Sequence, residues 1–172
     1  FFGQREAVNV TPEAAADAQA KLAQLNAGPD EVRLNSVEVT SLLRYGDEDW
    51  TPRSIRDPEV NMRGDTVIVS ALIPTSDIPS HPDLDRVRAF LPDTARIEVE
   101  GSVRMVDTGR AALAVREVEF ASIPIPERYY PPMLEQLGRG AAPGLAAIEM
   151  PLPLPRGVSQ VRVEDGYLVL TP

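Results

Sequence analysis

Two segments of alternating polarity, "ARIEVEGSVRMV" and "AALAVREVEF", constrain this chain more than any other feature, and the turn "DTGR" separates them. Side chains of a strand point alternately to opposite faces, so a period of two predicts antiparallel strands with one dry face. The dry face of the first strand carries Ile97, Val99, Val103 and Met105. In the second strand the alternation slips by one residue near Arg116, which predicts a β-bulge that bends the sheet.

Two further hairpins are predicted from their turns. Gly64 and Asp65 lie between "SIRDPEVNM" and "TVIVSALIP", while Asp165 and Gly166 lie between "VSQVRV" and "YLVLTP". Such pairs favour the tight reversals that join antiparallel strands. Residues 67–73 are apolar on both faces, so this strand needs cover on both sides or lines an apolar space. The alternating prolines of "MPLPLPRG" predict an extended segment at a sheet edge, since proline cannot donate a hydrogen bond.

Two amphipathic segments predict helices near the start of the chain. "TPEAAADAQAKLAQLNAGP" is typical of a helix over residues 12–26 with Thr11 as its N-cap. In "LNSVEVTSLLRYG", Asn35 and Glu38 have the spacing of a capping box, and Gly46 is expected to end the helix in the left-handed conformation. Its apolar stripe must be covered by another element.

A later segment, "PERYYPPMLEQLGRG", predicts another amphipathic helix. Pro131 and Pro132 fit only a first turn or a kink, so the helix is expected to be shortened or bent. "SDIPSHPDLDRVRAFLPD" predicts a loop with a short helix that Pro82 starts and Pro92 ends. Successive hairpins with amphipathic helices on the dry face give an α+β fold, expected as one strongly curved antiparallel sheet wrapped against the helices.

The length of 172 residues and the 43% of hydrophobic residues suit a single domain, predicted over residues 11–172. Residues 1–10 form a tail, and its start "FFGQRE" is compatible with the trimmed end of a signal or membrane anchor, or with an ordinary frayed terminus. A net charge of −9, without clustered basic residues, argues against nucleic acid as a partner. No segment approaches the length of a membrane span.

Catalytic and metal-binding motifs are not found in the sequence. His81 lies beside Ser80, Asp83 and Asp85, but adjacent residues do not make a hydrolytic triad, and the metal ligands are too few. The acidic run in "YGDEDW" lacks the spacing of a calcium loop and is expected to be a solvated turn. The absence of cysteine excludes a thiolate nucleophile and cysteine-ligated metals. The chain is therefore predicted to be no enzyme and to need neither a metal nor another cofactor.

The apolar stripes are the remaining candidates for function. They can pack against one another as a closed core, or they can line a groove between sheet and helices that accepts a lipid or another apolar molecule. Both interpretations remain open from the residues alone. The candidate lining residues are Val39, Leu42, Leu43, Ile97, Val99, Val103, Met105, Leu113, Val115, Tyr130, Met133, Leu134 and Leu137.

The order of these elements resembles a known superfamily. Three segments follow one another in this chain: "VRLNSVEVTSLLRYG", "PEVNMRGDTVIVSALIP" and "IEVEGSVRMVDTGRAALAVREVEFASIPIPERYYPPMLEQLGR". Their order resembles that in small bacterial envelope proteins of the TULIP-like (tubular lipid-binding) superfamily. The resemblance covers residues 32–139 and rests on patterns of hydrophobicity and turns. It implies a curved antiparallel sheet wrapped on a helix, and it implies lipid binding without catalytic residues.

These expectations define two hypotheses for function. The first is non-enzymatic binding of a lipid or another apolar small molecule at the bacterial envelope, by an exported protein that is periplasmic or tethered to the membrane by its N-terminus. The second is a structural or protein-interaction module of the envelope with a solid core and no ligand. The protein partner of such a module is unknown, and its docking region would be the edge near "MPLPLP" or the acidic surface.

Overall fold

The structure, a computed structural model, describes residues 9–46, 51, 54–137, 139–140 and 143–172. Residues 1–8 of the predicted tail over residues 1–10, and the acidic run at residues 47–49, lie outside the described residues. Four α-helices are present in the described part: α1 (Pro12–Gln24), α2 (Ser36–Tyr45), α3 (Pro82–Val87) and α4 (Tyr130–Gln136). Nine strands accompany them: β1 (Val32–Leu34), β2 (Arg56–Arg63), β3 (Thr66–Pro74), β4 (Thr94–Asp107), β5 (Arg110–Phe120), β6 (Ile123–Pro124), β7 (Glu149–Leu152), β8 (Gln160–Glu164) and β9 (Tyr167–Thr171).

The strands form two antiparallel sheets, which confirms an α+β fold but corrects the expectation of one sheet. The large sheet has the order β2-β3-β4-β5-β6, with β7 also paired to β5, and it is not closed into a barrel. The small sheet has the order β1-β9-β8. It forms because β1 pairs with the C-terminal strand β9, with Val32 opposite Leu170. The closing hairpin therefore joins a strand from the start of the chain and not the large sheet.

The predicted turns and the bulge are confirmed. Gly64 and Gly166 both have positive φ, at 59° and 80°, in the turns that join β2 to β3 and β8 to β9. Gly109 has φ 79° in the turn between β4 and β5. Glu100 lies opposite Glu117 whereas Gly101 lies opposite Val115, so Arg116 is the extra residue of a bulge in β5.

The N-terminal ends of the first two helices are confirmed. The helix α1 ends at Gln24 and not at the predicted residue 26, and the C-terminal conformation of α2 is also corrected. The Thr11 hydroxyl accepts a hydrogen bond from the backbone N–H of Ala14, and Asn35 and Glu38 form the complete capping box. Gly46, however, has φ −68° and ψ 160°, an extended conformation and not the left-handed one. A Cβ at Gly46 would collide with the carbonyl oxygen of Leu42. Close approach of the backbone, and not a positive φ, therefore requires glycine here.

The helix α4 packs against the large sheet and closes one of two apolar clusters. As expected from Pro131 and Pro132, it is short and has its prolines in the first turn. Tyr130, Met133 and Leu134 are buried in the first cluster with Phe120, and the Val118 N–H donates a hydrogen bond to the Tyr130 hydroxyl (3.1 Å). Burial raises the pKa of Tyr130. The second cluster gathers side chains from α1, α2, β1, β8 and β9.

Candidate ligand-binding groove

The helix α2 is fixed along the outer edge of β2 by a polar stripe. Ser36, Thr40 and Arg44 recur every fourth residue and so lie on one face of the helix. The Thr40 hydroxyl accepts from the Val60 N–H (2.9 Å) and donates to the Val60 carbonyl (3.2 Å). The Ser36 hydroxyl accepts from the Met62 N–H (2.9 Å), and Arg44 Nε donates to the Pro58 carbonyl (2.9 Å). The helix thus satisfies backbone groups that an edge strand normally leaves open.

The apolar stripe of α2 then faces a groove between the two sheets. The large sheet forms one wall through β2, β3, β4 and β5, and the small sheet forms the opposite wall. Residues 152–155 run across the end of the groove. The described lining residues are Leu22, Leu34, Val39, Leu42, Leu43, Thr51, Ile55, Pro58, Val60, Met62, Val67, Val69, Val103, Leu113, Leu152, Pro153, Leu154, Pro155, Val161, Leu168 and Leu170.

The groove lies at the seam between the two apolar clusters and is partly open to solvent. Its volume is about 260 Å³. Four side chains contact both clusters and are nevertheless only half-buried: Val39, Val103, Leu152 and Leu168. Interiors of proteins are normally packed as densely as organic crystals, so side chains that bridge two cores should be fully covered. Here they surround space that the side chains of the described residues leave empty.

The extended segment over residues 149–155, called the strap below, is anchored at its first residue. Glu149 is buried, and its carboxylate accepts two hydrogen bonds from Arg104, at 2.6 and 2.8 Å, and one from the Ala146 N–H. Arg139 donates to the Glu149 carbonyl (2.8 Å). The Arg104 bonds are the main reason that the pKa of Glu149 lies below its usual value, although burial opposes them. These contacts hold the strap against β5.

Alternating prolines explain why the strap remains a free edge. The Val115 N–H donates to the Ile148 carbonyl, and Leu113 and Ala111 lie opposite Met150 and Leu152. Backbone groups of an antiparallel strand point alternately to its two sides, so Met150 and Leu152 face β5. Pro151 and Pro153 therefore face outward, where they have no N–H to offer. A further strand cannot pair fully with this edge.

The structure brings five of the thirteen predicted lining residues to the groove: Val39, Leu42, Leu43, Val103 and Leu113. Seven others are packed in the first cluster, away from the groove, and these are Ile97, Val99, Val115, Tyr130, Met133, Leu134 and Leu137. Met105 packs against the second cluster, and its sulfur accepts from the Val161 N–H (3.4 Å). The helix α4, which was expected to line a tube, contributes no described residue to the groove.

Sequence reasoning missed most of the wall contributed by β2, β3, the small sheet and the strap. Two signals pointed to part of it. Residues 67–73 are apolar on both faces, and Val67 and Val69 of this run line the groove. The leucines of "PLPLP" alternate with prolines, and Leu152 and Leu154 also line it. The contribution of β9 carried no local signal.

Electrostatically, the groove is neutral. Among its described lining residues none is charged, and Thr51 is the single one with a polar side chain. Two ion pairs are formed by residues that neighbour the lining residues in sequence: Lys21 with Glu38 (2.7 Å) and Arg44 with Glu59 (4.0 Å). These four charged side chains are thus paired with one another.

Other candidate sites have structural explanations. His81 is 3% exposed and packs edge-on against the Tyr129 ring, with 4.9 Å between centroids. The described residues contain no group of three or more His, Cys, Asp or Glu side chains that could hold a metal ion. Within the same residues, no helix is both long and apolar enough to cross a bilayer.

Comparisons with known proteins give no assignment. No protein-family model matches the chain, and neither the curated proteins nor the solved structures contain a significant match.

Proposed function

We propose that this protein binds a lipid or another apolar small molecule in the groove between its two sheets, without catalysing a reaction. The observation that carries the proposal is the set of four half-buried side chains, Val39, Val103, Leu152 and Leu168, that bridge two cores around about 260 Å³ of space. Ligand sites are concave and predominantly apolar, and this groove has both properties. An apolar occupant would complete the packing that these side chains lack.

The proposal includes a place at the bacterial envelope, as an exported protein that is periplasmic or tethered to the membrane. The support is the resemblance of residues 32–139 to TULIP-like envelope proteins. Strong curvature of the large sheet and its wrapping against helices belong to the same proposal. The bulge at Arg116 supports the curvature, because a bulge increases local bending and twist.

The alternative, a structural or protein-interaction module, receives less support from the strap. Partner strands dock on edges that offer both N–H and C=O groups. Pro151 and Pro153 remove the outward N–H groups of the strap, so its edge is poorly suited to strand addition. A partner that covers the groove itself would remain compatible with the structure.

The test is lipid retention by protein prepared without detergent. Wild-type protein should release lipid on organic extraction, and after delipidation it should bind labelled fatty acid or phospholipid again. Leu43→Asp places a carboxylate on the half-buried rim of the groove and should reduce retention at least tenfold, because burying an unpaired charge is costly.

Phe90→Asp is the matched control. Phe90 is 86% exposed and is not among the groove-lining residues, so this variant reports on nonspecific adsorption of lipid to exposed apolar surface. Retention should be unchanged in it. If Leu43→Asp retains as much lipid as Phe90→Asp, or if the wild type binds no lipid, the proposal is wrong.

A further inference from the structure

The polar content of the groove wall indicates which part of a ligand it can hold. Thr51 supplies the single side-chain hydroxyl among the described lining residues, and no lining side chain there is charged. Three lining residues, Pro58, Pro153 and Pro155, also lack a backbone N–H. A buried polar head group would therefore lose its hydrogen bonds to water without replacement, which is strongly unfavourable. The head group of an amphiphile must stay in solvent.

The volume limits how much hydrocarbon can enter. An engineered apolar cavity of about 150 Å³ in another protein binds benzene, which has six carbon atoms. By proportion, the present cavity of about 260 Å³ holds roughly ten carbon atoms. Two acyl chains of ordinary membrane length cannot both be buried in it.

We infer that the ligand of this groove is a single hydrocarbon chain, bound over about ten carbons and without selection for its head group. The inference rests on the proposed function and specifies its ligand class. A phospholipid would insert part of one chain and leave the other exposed. Affinity would be set by the length of the chain, since each buried methylene contributes about the same increment.

The experiment measures dissociation constants by titration calorimetry for three series of amphiphiles: 1-alkanols, fatty acids and alkyltrimethylammonium ions. Chains of about six to fourteen carbons are used below the micellar concentration of each ionic amphiphile and below the solubility limit of each alkanol. High salt screens the net charge of −9, which would otherwise favour the cationic series. Affinity should rise about fourfold per methylene up to about ten carbons and then level off. At each length the three head groups should agree within about threefold.

A variant that fills the groove tests whether this plateau reflects the cavity. Val69→Phe adds four carbon atoms to a lining side chain, so the plateau should move from about ten carbons to about six. Ile68→Phe is the matched control, because neighbouring residues of a strand point to opposite faces and Ile68 is not a lining residue. Its plateau should stay at wild-type length. If Val69→Phe does not fold, Val103→Phe fills the groove from β4 and tests the same prediction.

The outcomes separate the inference from the proposed function. If the wild type binds none of the amphiphiles, the proposed function fails and the inference fails with it. If binding occurs but the dissociation constants for the three head groups differ by more than about threefold at one chain length, the function stands and the inference is overturned. The same holds if affinity keeps rising to fourteen carbons, or if Val69→Phe and Ile68→Phe give the same plateau.

Discussion

The attachment of α2 to β2 predicts a large loss of stability on removal of one hydroxyl group. Thr40 is 1% exposed, and its hydroxyl satisfies both the N–H and the carbonyl of Val60. Thr40→Val keeps the shape of the side chain but leaves these two buried groups without that partner. Each such group costs about 1–3 kcal/mol, so loss of both partners should lower the free energy of unfolding by about 2–6 kcal/mol. At about 3 °C per kcal/mol for a domain of this size, the melting temperature should fall by about 6–18 °C.

The assay is urea unfolding followed by far-ultraviolet circular dichroism, with Thr40→Ser as the control. Serine keeps the hydroxyl and loses one methyl group, which should cost only about 1 kcal/mol. The slope of the free energy of unfolding against urea concentration should be the same for the wild type, Thr40→Val and Thr40→Ser, because each protein exposes a similar surface area on unfolding. If Thr40→Val is as stable as Thr40→Ser, the hydroxyl does not hold the edge of β2 and the reasoning is refuted.

Two further predictions concern the strap and the bulge. Because the folded-state pKa of Glu149 lies below its ordinary 4.5, its carboxylate stabilises the fold above that pH, and this contribution is lost as the pH falls further. Urea unfolding at several pH values should therefore show that the free energy of unfolding falls less on acidification for Glu149→Gln than for the wild type. If the free energies of the two proteins fall equally, this role of the Glu149 carboxylate is contradicted. Gly101→Ala should lower the melting temperature markedly, because the new Cβ would collide with the Ala114 carbonyl, whereas Gly28→Ala meets nothing; equal melting temperatures would contradict this packing.

Features encoded by neighbouring residues could be predicted from the sequence. The capping box of Asn35 and Glu38 needs four consecutive residues, and the turn at Gly64 and Asp65 needs two. The bulge at Arg116 appeared directly as a slip in the alternation of β5. Each of these signals is complete within a short stretch of chain, so no knowledge of distant contacts was required.

Features that depend on distant pairing could not be predicted in the same way. β1 and β9 pair Val32 with Leu170, and nothing in either segment specifies the other. The small sheet, and with it one wall of the groove, was therefore missed. The dry face of β4 shows the same limit, because Val99 lies in the closed core and Val103 in the groove. Val99 and Val103 belong to the same alternating pattern of apolar residues in β4. They differ in what covers them, since Val99 is in the cluster closed by α4 whereas Val103 lines the groove beside the small sheet.

The size of the side chains explains why the seam between the cores is a groove and not packed interior. The described lining consists of nine leucines, six valines, three prolines and one residue each of methionine, isoleucine and threonine. No described lining residue is aromatic, whereas Phe120 of β5 and Tyr130 of α4 are both buried in the first cluster. The buried aromatic side chains of the first cluster thus have no counterpart in the described lining of the groove. A single phenylalanine at position 69 or 103 would fill much of the seam, so the space persists because small side chains face one another across it.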